Sequence, residues 1–219
     1  MSLHDGHDAR LVLERETVFH GKIWDVVSET FELSAGGDRI TRQFIDHPGA
    51  VAILPRDDAG RVLMLRQYRH PVRASLWEIP AGLLDVAGED PLLAAARELL
   101  EEADLRAERW QVLVDNFNSA GSSSESVRIY LAEGLSEVSE AERHVRTEEE
   151  AEIQLLWVPL EEAVTAVLAG EVHSFSAIAG ILALSVADAR AASGQTVLRP
   201  GDAPWPMQPE HLRTVNDVS

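Results

Sequence analysis

The chain has 219 residues, with 19 Lys and Arg against 37 Asp and Glu, a net charge of −18. Hydrophobic residues make up 45% and charged ones 26%, the balance of a folded chain with one sizeable core rather than a disordered one. There is no cysteine, which excludes disulfides, thiolate metal sites and a catalytic thiol, and the acid excess, uninterrupted by any basic cluster, speaks against nucleic acid or an anionic membrane as partner.

The start, Met1 to Asp8, lacks the basic end and apolar run of a signal peptide. The longest near-apolar stretch, Ala177 to Ala187, falls short of the ~20 residues a membrane span needs, so a cytoplasmic protein is expected. Val26 to Leu33 and Ile40 to Asp46 read as strands joined by the hairpin turn Ala35-Gly36-Gly37-Asp38. Further strands are predicted at Ala50 to Leu54, Val62 to Tyr68 and Leu76 to Ile79, the last stopped by Pro80. Asp90-Pro91 has the form of an N-cap and first helical residue, opening a helix that runs to about Ala103. Strands follow at Gln111 to Val114 and Val127 to Leu131, on either side of the Gly/Ser-rich loop Asn118 to Ser124. After the acidic segment Glu133 to Glu152 come a strand, Ile153 to Val158, and two helices, Pro159 to Ala169 and Ser176 to Ala192. From Gly194 on, four prolines suggest an extended tail. The order is mixed α/β with hairpins, not strict βαβ alternation.

On the helix from Pro91 to Ala103, spacing puts Leu92, Leu93, Ala96, Leu99, Leu100 and Ala103 on one side and Glu98, Glu101 and Glu102 on the other. A solvated acidic face is the plain explanation. Yet like charges three and four apart repel by roughly 0.2–0.5 kcal/mol per pair, and anions in a last turn face the negative end of the helix dipole. A hard divalent cation would offset both, and clustered carboxylates are what Mg²⁺ takes. Glu78 to Glu89, a strand end followed by a Gly-bounded loop, precedes this helix, and Glu89, eight positions before Arg97, can pair with it. His70, His144 and His173 lack metal spacing, and Ser122 to Ser124 lack the elbow of a serine hydrolase.

Gly82, Glu89 and the run Arg97-Glu98-Leu99-Leu100-Glu101-Glu102-Ala103-Asp104-Leu105 closely resemble the Nudix box, Gly-x5-Glu-x7-Arg-Glu-U-x-Glu-Glu-x-Gly-U, with U aliphatic. There are two departures: six residues rather than five separate Gly82 from Glu89, and Asp104 replaces the last glycine. Gln67-Tyr68-Arg69, Leu76 to Gly82 and Val172 to Leu184 resemble the ADP-ribose pyrophosphatase branch, so that the likeness covers roughly Val12 to Ala192.

The resemblance implies an α/β fold, a Nudix α/β/α sandwich with a mixed sheet over residues 49–192. An antiparallel β-arm over 1–48, exchanged in a homodimer, would precede it, and a Pro-containing tail over 193–219 would follow. It implies Mg²⁺, with Mn²⁺ substituting, held by Glu98 and Glu102 with Glu101 sharing a bridged ion and the Ala81 carbonyl adding an oxygen. Glu101 also counts among the catalytic residues. Gly82, Glu89 and Arg97 would be structural. The water-activating base would come from the acidic loop after Arg146, with Glu150 favoured and Glu149 second. Arg69 would contact a diphosphate, Trp24 and Arg42 of the partner's arm would flank the adenine or ribose, and Ser119, Gly121 and Glu125 would meet the rest of the substrate. The expected reaction is hydrolysis of ADP-ribose or a similar nucleoside diphosphate sugar to AMP and a sugar phosphate. Ala120, where ADP-ribose hydrolases usually carry proline, leaves room for another nucleoside diphosphate compound such as GDP-mannose or a dinucleotide. A catalytically silent binding or regulatory module is the third reading, opposed by the intact glutamates.

Overall fold

The computed structural model describes residues 3–146, 152–195 and 198–208. It divides into two units, one formed by the described parts of 1–49, 117–126 and 204–219, the other by those of 50–116 and 127–203.

The first unit is built on an antiparallel meander of β1 (Val12–His20), β2 (Asp25–Glu32) and β3 (Arg39–Asp46). β2 and β3 pair without a slip from Asp25↔Asp46 to Glu32↔Arg39. Their turn closes through bonds from Leu33 N–H to the Asp38 carbonyl and from Gly37 N–H to the Ser34 carbonyl, with Gly36 left-handed at φ 71°. Arg15 of β1 bonds Glu29 of β2 and Asp46 of β3, drawing the three strands together. β1 escapes the sequence reading because it buries no face: most of its side chains are exposed, so no period-two signal marks it. The 118–125 loop returns onto β3, where Ile45 donates to the Ser122 carbonyl and accepts from Ser124 N–H, both at 2.9 Å.

The second unit contains β4 (Ala50–Pro55), β5 (Arg61–Arg69), β6 (Ala74–Glu78), β7 (Ala81–Leu83), α1 (Pro91–Ala103), most of β8 (Leu105–Phe117) and most of β9 (Ser126–Glu137). After them come β10 (Gln154–Pro159), α2 (Leu160–Leu168), α3 (Phe175–Ala192) and β11 (Arg199–Pro200). A five-stranded sheet runs β11-β8-β9-β4-β7, and β10-β5-β6 form an antiparallel sheet of three. β4 lies parallel to β9 and antiparallel to β7, so the larger sheet is mixed. β4 is buried along its whole length. Its odd residues, Val51 and Ile53, pack with Ala94, Ala95, Leu99 and Ala103 of α1. Its even ones, Ala50, Ala52 and Leu54, pack with Ala163 of α2 and Ala177, Ile181 and Leu184 of α3. Alternation along a central strand thus fills two cores, one on each face, and makes the α/β/α sandwich. Gly180 lets α3 approach closely, since a Cβ there would stand 3.3 Å from the Ile129 methyl. α3 is the one described helix long and apolar enough to cross a membrane by length and composition, but Ala177, Gly180, Ile181, Leu184 and Ala187 of it lie in the core.

Four sequence expectations differ from the structure. The buried side of α1 is Ala94, Ala95, Leu99, Glu102 and Ala103, whereas Leu93 is 64% exposed and Ala96 faces out. Ala94, Ala95 and Ala103 with Leu99 seat this helix against the sheet, and Glu102 sits on the buried side. β7, read as loop, is a short strand pairing with Ala50 to Ala52 of β4. β8 and β9 extend well beyond Gln111 to Val114 and Val127 to Leu131. Within the region expected as an extended tail, Arg199 and Pro200 pair with Val112 and Gln111 of β8. Buried Arg128 fastens this stretch, donating to Asp115 at 2.7 and 3.1 Å and to the Ala203 carbonyl at 2.6 Å.

Candidate active site

α1 begins where Asp90, extended in backbone, accepts from Leu92 N–H at 2.8 Å, with Pro91 at the first helical position. It ends at Asp104, whose φ of 55° is left-handed. Asp does there what glycine does in the Nudix pattern. The helix therefore presents Glu98, Glu101 and Glu102 over its last two turns, beside β7.

Gly82 on β7 faces Glu98. A Cβ at this glycine would overlap the Glu98 carboxyl, so the absent side chain is the space the carboxylate fills. Glu102, 6% exposed, accepts from Ala81 N–H at 2.9 Å. Glu98 accepts from Arg97 Nη1 at 2.5 Å, and Glu101 from the same nitrogen at 3.3 Å. Arg97 turns its other edge to Glu89 in a two-point ion pair of 3.1 and 3.0 Å. That bond holds the Glu89 carboxyl below its ordinary range, and it raises the Arg97 pKa further. The loop before α1 is thereby tied to the face that carries the glutamates.

On β5, Arg69 makes a second two-point pair, to buried Glu78 of β6, at 3.0 and 2.7 Å. The pair turns a flexible arginine into a fixed cation. At the other end of α1, Arg146 donates to the Glu101 carbonyl at 3.1 Å and to Asp104 at 2.6 Å. Neither Glu78 nor Arg146 was singled out from the sequence. The paired strands β5 and β6 could have suggested Glu78 as a partner of Arg69, but a contact 42 residues distant in sequence leaves no local signal.

In the first unit, Phe31, Arg42, Gln43, Phe44 and Phe117 with the 120–124 loop line a cleft of about 460 Å³. Arg42 and Gly121 of the same chain thus meet on one cleft, as does Ala120. Ser119 shapes the loop from behind: its carbonyl accepts from Ser122 and Ser123 N–H, and its hydroxyl meets that of Ser122 at 2.9 Å. Glu125 closes the loop by accepting from Asn118 N–H, and Trp24 is 37% exposed on the meander; neither lines the cleft. Glu149 and Glu150 lie outside the described residues.

Among the described residues no three His, Asp or Glu side chains converge as an ion would require; Glu98 and Glu101 share Arg97 instead. The donor chemistry nonetheless fits a hard cation. Three carboxylates lie within two turns, and the room left by Gly82 accommodates one of them against the adjoining strand.

The NUDIX domain family model matches residues 46–177, and the chain belongs to the Nudix hydrolase family, whose members generally use a divalent metal. It is 46% identical over 199 residues, 91% of this chain and 92% of the relative, to an ADP-ribose pyrophosphatase of Mycobacterium tuberculosis. An ADP-ribose pyrophosphatase of Bacillus subtilis is 37% identical over 161 residues, 74% of this chain and 84% of its own. A crystal structure of an ADP compounds hydrolase superposes with a TM-score of 0.68 at 20% identity, covering 85% of this chain and 98% of that one, which shows the fold.

Proposed function

We propose that this chain hydrolyses the diphosphate bond of ADP-ribose, or of a similar nucleoside diphosphate sugar, to AMP and a sugar phosphate. The observation that carries it is the glutamate set of α1 closed against β7, with Glu98 in the space of the missing Gly82 side chain and Glu102 on Ala81 N–H. The two relatives named for ADP-ribose supply the substrate.

In this reading Glu98, Glu101 and Glu102, with the Ala81 carbonyl, hold Mg²⁺, for which Mn²⁺ can substitute. Bound there, the ion neutralises charge on the diphosphate and lowers the pKa of the attacking water. Water adds to one phosphorus, the bond from that phosphorus to the bridging oxygen breaks, and a carboxylate takes the water's proton. Glu150 is proposed as that base, with Glu149 second. Arg69, fixed by Glu78, binds the diphosphate oxygens, where a guanidinium fork suits two acceptors. Arg97 and Glu89 keep the loop on the helix.

The same proposal makes the chain a cytoplasmic homodimer with residues 1–48 as an exchanged arm, 49–192 as the hydrolase domain and 193–219 as the tail. Trp24 and Arg42 of one arm then reach the adenine or ribose of the partner's substrate, and Ser119, Gly121 and Glu125 complete the contacts. Phe19, Ile23, Trp24 and Leu33, apolar and exposed on the meander, support a covered arm. A second reading keeps the chemistry and changes the substrate. Ala120 lines the cleft where ADP-ribose hydrolases usually place a proline, which favours a compound such as GDP-mannose or a dinucleotide.

Phosphate-coupled assays of ADP-ribose, GDP-mannose and a diadenosine polyphosphate, with Mg²⁺ and a phosphatase blind to the intact substrates, separate the two. Fastest turnover of ADP-ribose is expected. Faster turnover of another compound moves the chain to the second reading, and no turnover of any of them contradicts the hydrolase.

A further inference from the structure

Asp104 is an expensive residue for its position. A left-handed φ of 55° is unfavourable for a residue with a Cβ, and glycine would cap the helix without that strain. Its carboxylate is also only half used: Oδ2 accepts from Arg146, while buried Oδ1 has no partner among the described residues. Capping alone does not explain a partly unsatisfied carboxylate.

Arg146 supplies the other half. α1 has no basic residue in its last turn, although Glu101 and Glu102 stand there at the negative end of the helix dipole. Arg146 brings a guanidinium to that end and satisfies the Glu101 carbonyl, one of the acceptors a helix terminus leaves open. The segment leading to it is pinned along the way. Val138 N–H bonds the Asp104 carbonyl at 3.1 Å, and Glu142, held by Ser139, takes Arg106 at 2.9 Å. Three anchors within residues 138–146 therefore grip the short stretch 101–106.

We propose that Asp104 and Arg146 are positioning residues, a clasp that holds the last turn of α1 so that Glu101 and Glu102 keep the placement hydrolysis needs. This rests on the reading of those glutamates as ion ligands. A glutamate at the end of an unheld helix frays with its turn, and small misplacements of a ligand are costly in rate.

Asp104→Gly tests the clasp because glycine accepts the left-handed backbone while removing the bond to Arg146. Its melting temperature should stay within about 2 °C of wild type, and Arg146→Ala serves as the second removal. Both are expected to speed amide exchange at residues 101–104 by about ten-fold, weaken calorimetric binding of Mg²⁺ alone by about ten-fold and lower kcat by about ten-fold with KM within about two-fold. The double variant should be no worse than either single one, and Arg146→Lys should recover part of kcat. Unchanged exchange at 101–104 in both single variants overturns the clasp. So does a kcat loss matched by loss of melting temperature, or additive losses in the double variant. Exchange is read on the protein alone, so it judges the clasp even if ADP-ribose is not turned over, an outcome that would instead remove the proposed substrate.

Discussion

Gly82 lies so close to Glu98 that the two positions act as one, and a single methyl group is enough to test the relation. Gly82→Ala would place a Cβ on the Glu98 carboxyl, and that side chain must leave its place against β7. Small additions to a filled site cost roughly 1–3 kcal/mol when nothing can shift, but Glu98 ends in a rotatable carboxyl and can yield. Activity should therefore suffer more than stability. A fall in kcat/KM of at least about 100-fold, with a modest loss in melting temperature, is expected, and steady-state kinetics beside a thermal melt check it. Wild-type kinetics in Gly82→Ala would mean that Glu98 does its work from another position. Glu102 is the contrasting case: it is buried, 6% exposed, and accepts from the Ala81 main-chain N–H. The sequence places it with Glu98 and Glu101 on an outer face, because a wheel drawn on leucines gives alanine too little weight. The structure puts Ala94 and Ala95 inward, and Glu102 goes with them.

α1 also shows which features of an element are legible in a sequence and which are not. Asp90-Pro91 at its start and the span to Ala103 follow from capping chemistry, and they agree with the structure residue for residue. The eight-residue spacing of Glu89 and Arg97 announces their contact, since loop and helix are adjacent in the chain. Arg146 is invisible by the same logic, because only the folded chain brings it to the helix end. β7 is missed because Ala-Gly-Leu after a proline carries the composition of a loop, and β1 because neither of its faces is buried. The Glu89–Arg97 pair gives this element a pH signature. A carboxyl whose folded pKa lies below its unfolded value stabilises the fold at higher pH and loses that contribution as pH falls through the folded value. The melting-temperature gap between wild type and Glu89→Gln should thus be full near about pH 6 and close toward about pH 3. A gap that widens on acidification would mean the pair contributes through something other than the ionised carboxyl.

Across the whole molecule the governing quantity is the net charge of −18, borne by a chain proposed to bind an anion. Long-range repulsion should slow encounter with ADP-ribose, and salt screens it, the Debye length being about 10 Å at about 0.1 M. With Mg²⁺ saturating, kcat/KM should rise as NaCl increases from about 10 to about 150 mM, the reverse of the fall expected for a cationic binding surface. A fall would show that a local positive field, such as that of Arg69, outweighs the total. The α/β/α sandwich itself follows from β4, whose unbroken apolar run demands cover on both faces and receives it from α1 on one and from α2 and α3 on the other. The chemistry is proposed for the glutamates of α1, and Glu102→Gln addresses these most directly, because glutamine keeps the volume and the carbonyl oxygen that Ala81 N–H needs while removing the charge. The decisive measurement is the initial rate of AMP release from ADP-ribose, with and without Mg²⁺, for wild type and Glu102→Gln of equal melting temperature. Release that requires Mg²⁺ and falls by at least about 10³-fold in the variant is expected. Release at the wild-type rate by Glu102→Gln would contradict the assignment of hydrolysis to this helix.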